Sequence, residues 1–445
     1  MKKILLIYTP VCTPASMPYS ITNLYSFLKA NGADDVKALD LNAKFHSMRF
    51  PEYKNYIRNM RYNKEEYNKK TREFIKKSAE VYSENNKKVI RGEKPELFDE
   101  LMQIIKKEKP DITAFSLVYS SQVFYAYPMI KELNNEGIIT IAGGPAVSRK
   151  IMGAANYILK DRDELLKFLG KEKKEDSYAL DFSIYDDEYF TPESVVPIKT
   201  SNTCYYRRCA FCSHYAKEKY FEFPLGDVKK TIKDSGKKHF FLADEMISKK
   251  RLLQIADFIR DLNVRWTCQL KPTKEYDYDT LKKLNESGLK MVEWGVESGN
   301  ERVLKLMKKG TNVKDVEKVL EDSHKAGIKN VVYIMFGFPT ETKEEFINTI
   351  DFLKRNSENI DLVSTTIFGL QKGTDVFENP SVYGIKKIYE EERTVLDPKI
   401  SYDAAYGLTN DEARELRQKY KKTIDKINRY PKDMNFFREH MLILS

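Results

Sequence analysis

The stretch Thr203-Cys204-Tyr205-Tyr206-Arg207-Arg208-Cys209-Ala210-Phe211-Cys212 sets three cysteines within nine residues, in the spacing C-x4-C-x2-C. It follows closely on an apolar run at 196–200 that reads as a buried strand. Three thiolates on one short loop can wrap a single inorganic centre. Tetrahedral zinc wants a fourth protein ligand, and His214 stands close enough to make a Cys3His site one reading. A [4Fe-4S] cluster is ordinarily held by four thiolates, so three would leave one iron open to a small molecule. Spacing by itself leaves both readings standing.

Outward from this loop, apolar strands are expected at 196–200, 238–242, 264–268, 291–295, 331–336 and 362–368. Between them, segments such as 279–288 and 313–327 have the helical period and end in glycine. Such strand-helix pairs predict a partial parallel barrel over 196–385 with its site on the C-terminal face. From 386 to 445 the chain reads as helical, with Leu408-Thr409-Asn410-Asp411-Glu412 opening a helix on an acidic first turn.

Upstream, strands at 4–8, 36–41, 111–117 and 138–142 alternate with helices at 19–30 and 124–135. That alternation predicts a doubly wound, Rossmann-like α/β domain over 1–170, which would bind a ligand at the carboxyl ends of its strands. Residues 45–109 interrupt it with polar, Tyr-rich helical sequence, an insertion or lid. A charged and then acidic-aromatic stretch at 171–195 reads as a linker.

With 445 residues, the chain has room for two or three domains. Its 41% hydrophobic and 32% charged residues, with 16 prolines and 19 glycines, exclude a mainly disordered protein. The net charge of +10 is concentrated, because residues 50–109 hold 16 Lys and Arg against 11 Asp and Glu. Lys/Glu-mixed helical sequence of this kind is ordinarily a solvated face, so charge alone does not indicate nucleic acid. The apolar start is cut by Thr9-Pro10 before it reaches the length of a signal peptide, and no run approaches the roughly 18 apolar residues of a membrane span. A cytoplasmic chain without membrane contact is expected. Five cysteines, an odd number, do not form a disulfide framework. Cys12 and Cys268 read as small buried hydrophobes, with a cavity-facing hydrogen-atom donor the sharper reading of Cys268.

The motifs from 196 to 385 together resemble the radical S-adenosylmethionine (radical SAM) superfamily. In that family a cluster loop follows the first strand of a partial (β/α)6 barrel and carries an aromatic residue before the last cysteine, here Phe211. The commonest family spacing is C-x3-C-x2-C. The longer loop is similar to the C-Y-W-x-x-C-x-F-C form of members with an N-terminal cobalamin-type domain. The resemblance implies that Cys204, Cys209 and Cys212 hold a [4Fe-4S] cluster whose open iron chelates S-adenosylmethionine. It implies that Asp244 or Glu245, after the second strand, meets the methionyl amine and that Lys271, after the third, pairs with the carboxylate. Glu297 and Ser298, in Gly295-Val296-Glu297-Ser298-Gly299, would lie near the ribose. Gly337 and Pro339, in Gly337-Phe338-Pro339-Thr340-Glu341-Thr342, would lie near the adenine. Leu304-x-x-Met307-x-Lys309-Gly310 and Gly373-Thr374 with Asn379-Pro380 fit the same pattern. Singly, such glycine turns are structural and Asp244-Glu245 could cap a helix; their order behind the cysteines makes the match specific.

Residues 1–170 resemble in outline the cobalamin-binding domain of many radical SAM enzymes, through Ile7-Tyr8-Thr9-Pro10, Leu39-Asp40-Leu41-Asn42, Pro110 to Ser116 and Ile141-Ala142-Gly143-Gly144-Pro145. The resemblance places Asp40, Ser116, Gly143 and Gly144 beside the corrin and its nucleotide tail. Two departures stand out. No D-x-H-x-x-G motif is present, so no histidine ligand to cobalt is implied, and Lys160-Asp161-Arg162-Asp163-Glu164 replaces the family's G-E-G-E turn. The bland reading is a domain that has kept the sheet and lost cobalamin. His46, His239, His324 and His440 form no metal-binding pair by spacing.

The activity implied by resemblance is methyl transfer to an unactivated carbon. A 5′-deoxyadenosyl radical abstracts a substrate hydrogen, methylcobalamin supplies the methyl group, and an external one-electron reductant feeds the cluster; the substrate is a small molecule or a peptide. The nearest rival is cyclisation, rearrangement or epimerisation without cobalamin. A transfer-RNA methylthiotransferase would carry a second three-cysteine cluster in its N-terminal domain, where this chain offers only Cys12, so nucleic acid is not the expected partner. A non-catalytic cofactor-binding or assembly protein, with zinc in the loop, is the rival from another class.

Overall fold

The computed structural model describes residues 2–186, 189–213 and 219–444. The chain forms two compact units, one of 1–197 with 226–237 and 392–398, the other of 198–225, 238–391 and 399–445.

The first unit is built on β1 (Ile4–Tyr8), β2 (Val36–Asp40), β3 (Ile112–Ser116), β4 (Ile139–Gly143) and the short β5 (Tyr157–Ile158). They form one parallel sheet in the order β2-β1-β3-β4-β5. β1 and β3 are buried along their whole length, which is why their sequences, ILLIY and ITAFS, are apolar runs with little alternation. Helices Tyr19–Ala30 and Val123–Asn135 stand where the periodicity expects them. The order reverses between β1 and β3, so the carboxyl ends of these strands flank the crevice where open α/β sheets bind ligands.

Most of the interruption at 45–109 is helical, in helices Leu41–Arg49, Pro51–Asn59, Lys64–Ile90 and Phe98–Lys107. Their apolar faces meet in an aromatic cluster in which Tyr53 stacks on Phe74 at 4.2 Å. The stretch read as a linker is packed into this unit instead. Phe190 is fully buried against Tyr53 and Phe74, the Tyr189 hydroxyl donates to Asp40, and Asn31 Oδ1 accepts from the Lys174 and Glu175 amides. Its aromatic residues bury apolar surface that a solvated tether would leave exposed.

The second sheet comprises β6 (Val195–Ile198), β7 (His239–Leu242), β8 (Arg265–Leu270), β9 (Leu289–Glu297), β10 (Lys329–Phe336) and β11 (Leu362–Ile367), neighbours in sequential order. From β7 to β11 each strand runs parallel to the next, with a helix in every crossover. This is the partial parallel barrel expected, with no strand end shifted by more than two residues. The C-terminal segment is helical only from Asn410 onward. Before that, β12 (Ile385–Glu391) and β13 (Lys399–Ala404) pair as an antiparallel hairpin. Its Ile388, Ile400 and Tyr402 pack on the core while charged neighbours face away, a two-residue period that a strand satisfies and a helix does not. Among the described residues no helix is long and apolar enough to cross a membrane.

Candidate functional site at the cysteine loop

Past β6 the chain enters the cysteine loop, whose base is tied down by one buried carboxylate. Asp244, just beyond β7, accepts the Thr200 amide at 3.0 Å, the Thr200 hydroxyl at 3.1 Å and the Ser201 hydroxyl at 2.6 Å. Burial pushes its carboxyl up, and these donors pull against that shift. Of the two acidic residues expected at the methionyl amine, Asp244 is therefore committed to holding the loop. Glu245 is more open, with Lys199 Nζ at 3.3 Å. Arg251, a buried residue that sequence reasoning passed over, donates to the carbonyls of Thr200 and Phe223.

The middle of the loop is seated on residues 307–310. The Ala210 amide donates to the Met307 carbonyl at 2.9 Å, and the Val376 amide to the Ala210 carbonyl at 3.1 Å. The Tyr206 hydroxyl donates to the Lys308 carbonyl at 2.9 Å. A Cβ at Gly310 would lie 2.3 Å from the Tyr206 hydroxyl, and Gly310 has φ +68°, so glycine is required there. Ala210 is fully buried, and Phe211 packs beside it on a core that includes Met307, Phe338 and Val376. These contacts explain the Met307-x-Lys309-Gly310 pattern as a cradle for the loop.

Cys204, Cys209 and Cys212 are in no disulfide, and each is partly exposed. The Cys212 amide donates to the Cys209 carbonyl at 3.2 Å. Two ammonium groups stand in their field. Lys271, next after β8, is buried, with Nζ 3.2 Å from the centre of the Tyr206 ring. Its pKa is lowered to about 8 by burial and by the second cation, Lys309. Lys309 is buried too, 2.9 Å from Glu297 Oε1. Burial pushes the Cys209 thiol up, and Lys309 opposes that shift. The donor set thus fits a thiolate-bound centre by type, with cations placed to balance its charge. Among the described residues no three His, Cys, Asp or Glu side chains converge to metal-holding distance. His214, the fourth ligand of the zinc reading, lies outside the described residues.

The remaining barrel residues divide. Glu297, at φ +70°, is engaged by Lys309. Ser298 is buried, its hydroxyl 3.1 Å from that of Thr349 and accepting the Asn300 amide at 3.2 Å, so its side chain serves the turn. The Gly337 amide donates to Glu341 Oε2 at 2.5 Å, the Tyr402 hydroxyl donates to the Gly337 carbonyl at 3.3 Å, and Pro339 is buried. Cys268 lies fully buried in β8, as a small hydrophobe would.

In the first unit, Asp40, Ser116, Gly143 and Gly144 gather at the carboxyl ends of β2, β3 and β4. Each is already engaged by the chain. Asp40 accepts the Ala43 amide at 3.0 Å and the Tyr189 hydroxyl at 2.9 Å, and Ser116 donates to Ser20 at 2.9 Å. A Cβ at Gly143 would sit 2.9 Å from the Leu159 carbonyl oxygen, and one at Gly144 2.3 Å from that of Leu117. Neighbouring backbone suffices to require both glycines.

Residues 198–353 match the family described as the radical SAM superfamily. The chain carries a radical SAM domain. An uncharacterized methyltransferase of Pyrococcus horikoshii is 26% identical over 67% of this chain and 75% of its own length. Of two relatives from Methanocaldococcus jannaschii the chain spans 65% and 60% of the length. Among solved structures, the radical SAM methyltransferase TsrM from Kitasatospora setae, with cobalamin and a [4Fe-4S] cluster bound, aligns at TM-score 0.64 and 14% identity over 93% of this chain and 84% of that one. The cobalamin-dependent radical SAM enzyme OxsB, with aqua-cobalamin bound, aligns at TM-score 0.64 and 15% identity over 96% and 67%. At such identities the likeness is one of fold alone: a Rossmann-like α/β domain joined to a partial parallel barrel.

Proposed function

We propose that this protein is a cobalamin-dependent radical SAM enzyme that methylates an unactivated carbon of a small molecule or peptide. The observation that carries the reading is the cysteine loop itself, three cysteines outside any disulfide on a braced loop with two buried ammonium groups in their field. Cys204, Cys209 and Cys212 would hold a [4Fe-4S] cluster, and Lys271 would meet the carboxylate of S-adenosylmethionine. Glu245 is the acidic group left for the amine, and the backbone at Gly337 to Pro339 would line the adenine site. When bound, the cluster and S-adenosylmethionine supply a carbon radical, and cobalamin supplies the methyl group. The chain's own part is to fix the loop through Asp244, Arg251 and the 307–310 cradle, and to offset thiolate charge with Lys271 and Lys309. Five free cysteines suit a reducing cytoplasm.

The test is anaerobic reconstitution with iron and sulfide. Wild-type protein should bind both and release 5′-deoxyadenosine when given S-adenosylmethionine and a reductant, and alanine at any of the three cysteines should abolish cluster uptake. One zinc and no sulfide would refute the reading. A second reading, radical cyclisation, rearrangement or epimerisation without cobalamin, is favoured by the engagement of Asp40, Ser116, Gly143 and Gly144 with their own chain. Visible spectra after incubation with hydroxocobalamin decide between the two.

A further inference from the structure

We propose that a cation-lined groove against the cysteine loop is the docking site of an acidic one-electron donor protein; the proposal rests on the cluster reading above. The groove, about 1100 Å³, is lined by Arg207, Arg208, Arg302, Lys305 and Lys308 against Glu301 and Asp375. Five cations face two carboxylates, of which Asp375 is ion-paired. Lys308 pairs with Asp375 at 2.6 Å, and Glu301 accepts the Val313 amide at 2.8 Å. Arg302 is held by Glu345, at 2.5 Å. Arg208 and Lys305 are exposed and pair with no described residue. The groove therefore keeps a net positive charge to present to a partner.

Its place in the fold says which partner. Tyr206, Arg207 and Arg208 line the groove and are also three of the four residues between Cys204 and Cys209. The same short piece of chain thus lines the groove and joins two of the three cysteines. A small anionic ligand would call for buried polar groups converging on one point, whereas the unpaired cations here are exposed. Small, charged, wet surfaces of this kind suit the weak encounters of electron-transfer proteins, in which complementary charge sets the rate of association. In the step proposed, one electron leaves the donor's reduced flavin and enters the cluster, and no bond forms or breaks.

The experiment follows cluster reduction in reconstituted protein, with photoreduced flavodoxin as the acidic donor and dithionite in parallel. Lys305→Glu, and Lys305→Glu combined with Arg208→Glu, should slow reduction by flavodoxin at low salt by about tenfold or more. High salt should erase the difference, and dithionite should reduce all forms equally. Lys305 is outside the cysteine loop, so its single variant remains informative if Arg208→Glu disturbs the loop. Equal flavodoxin rates in variant and wild type, or equal slowing with both donors, would overturn the proposal. A wild-type protein that dithionite cannot reduce would strike the cluster reading itself, a distinguishable result.

Discussion

Lys309 Nζ lies 2.9 Å from Glu297 Oε1, and together the two head groups fill the space a side chain at Gly295 would need, within 3.0 Å of its Cβ position. The glycine that opens Gly295-Val296-Glu297-Ser298-Gly299 is thus explained by an ion pair of buried Lys309 with largely buried Glu297. Removing one partner strands the other. Lys309→Met should destabilise the apo protein by about 3–5 kcal/mol, and Lys309→Met with Glu297→Gln should recover most of that loss. Chemical denaturation followed by circular dichroism measures both. Gly295→Ala should cost less, because the atoms it meets end flexible side chains.

Asp244 and Glu245 are adjacent in sequence and unlike in consequence. Asp244→Asn exchanges an acceptor oxygen for an amide that faces other donors, so the base of the loop should weaken by about 1–3 kcal/mol. Cleavage by trypsin at Arg207 and Arg208 should then be faster than in wild type. Glu245→Gln, with one partly exposed ion pair at 3.3 Å, should change stability by less than about 1 kcal/mol.

The two parallel sheets and most strand positions were legible because the strands are buried, which imposes continuous apolar runs such as Ile4 to Tyr8. The hairpin at Ile385 to Ala404 was not, since Lys386, Lys387, Glu390 and Glu391 obscure its two-residue period. The cysteines were plain in the sequence. The roles of Asp244 and Ser298 were not, because motif spacing places a residue on a turn without saying whether its side chain faces a ligand or the chain. Lys309 stood inside a quoted pattern, but only the fold shows its ammonium reaching Glu297 and the field of Cys209.

The Ser298-Gly299 turn should respond as structure does. A Cβ at Gly299 would fall 2.4 Å from Phe352 Cβ and 3.0 Å from Thr349 Cα, atoms that cannot swing aside. Gly299→Ala should lose about 1–3 kcal/mol or more through overpacking. Ser298→Ala should lose about 1 kcal/mol while changing the affinity for S-adenosylmethionine by less than about twofold, under 0.5 kcal/mol. Calorimetric titration of the reconstituted protein checks it, and a tenfold weaker Kd would return the ribose to Ser298.

Glu341 supplies a pH signature. Burial raises its carboxyl from 4.5 to about 8, the Gly337 amide pulls the other way, and Oε1 is buried with no hydrogen-bond partner among the described residues. Between those two pH values the folded chain keeps a proton that the unfolded chain has released. The stability tied to that proton is complete below pH 4.5 and is lost as pH rises through 8, with a limiting slope of about 1.4 kcal/mol per pH unit. Glu341→Gln carries no such proton and can still accept from the Gly337 amide. Its melting temperature should therefore gain on wild type as pH is raised from 5 to 8, and parallel curves across that range would show that Glu341 is ionised in the fold.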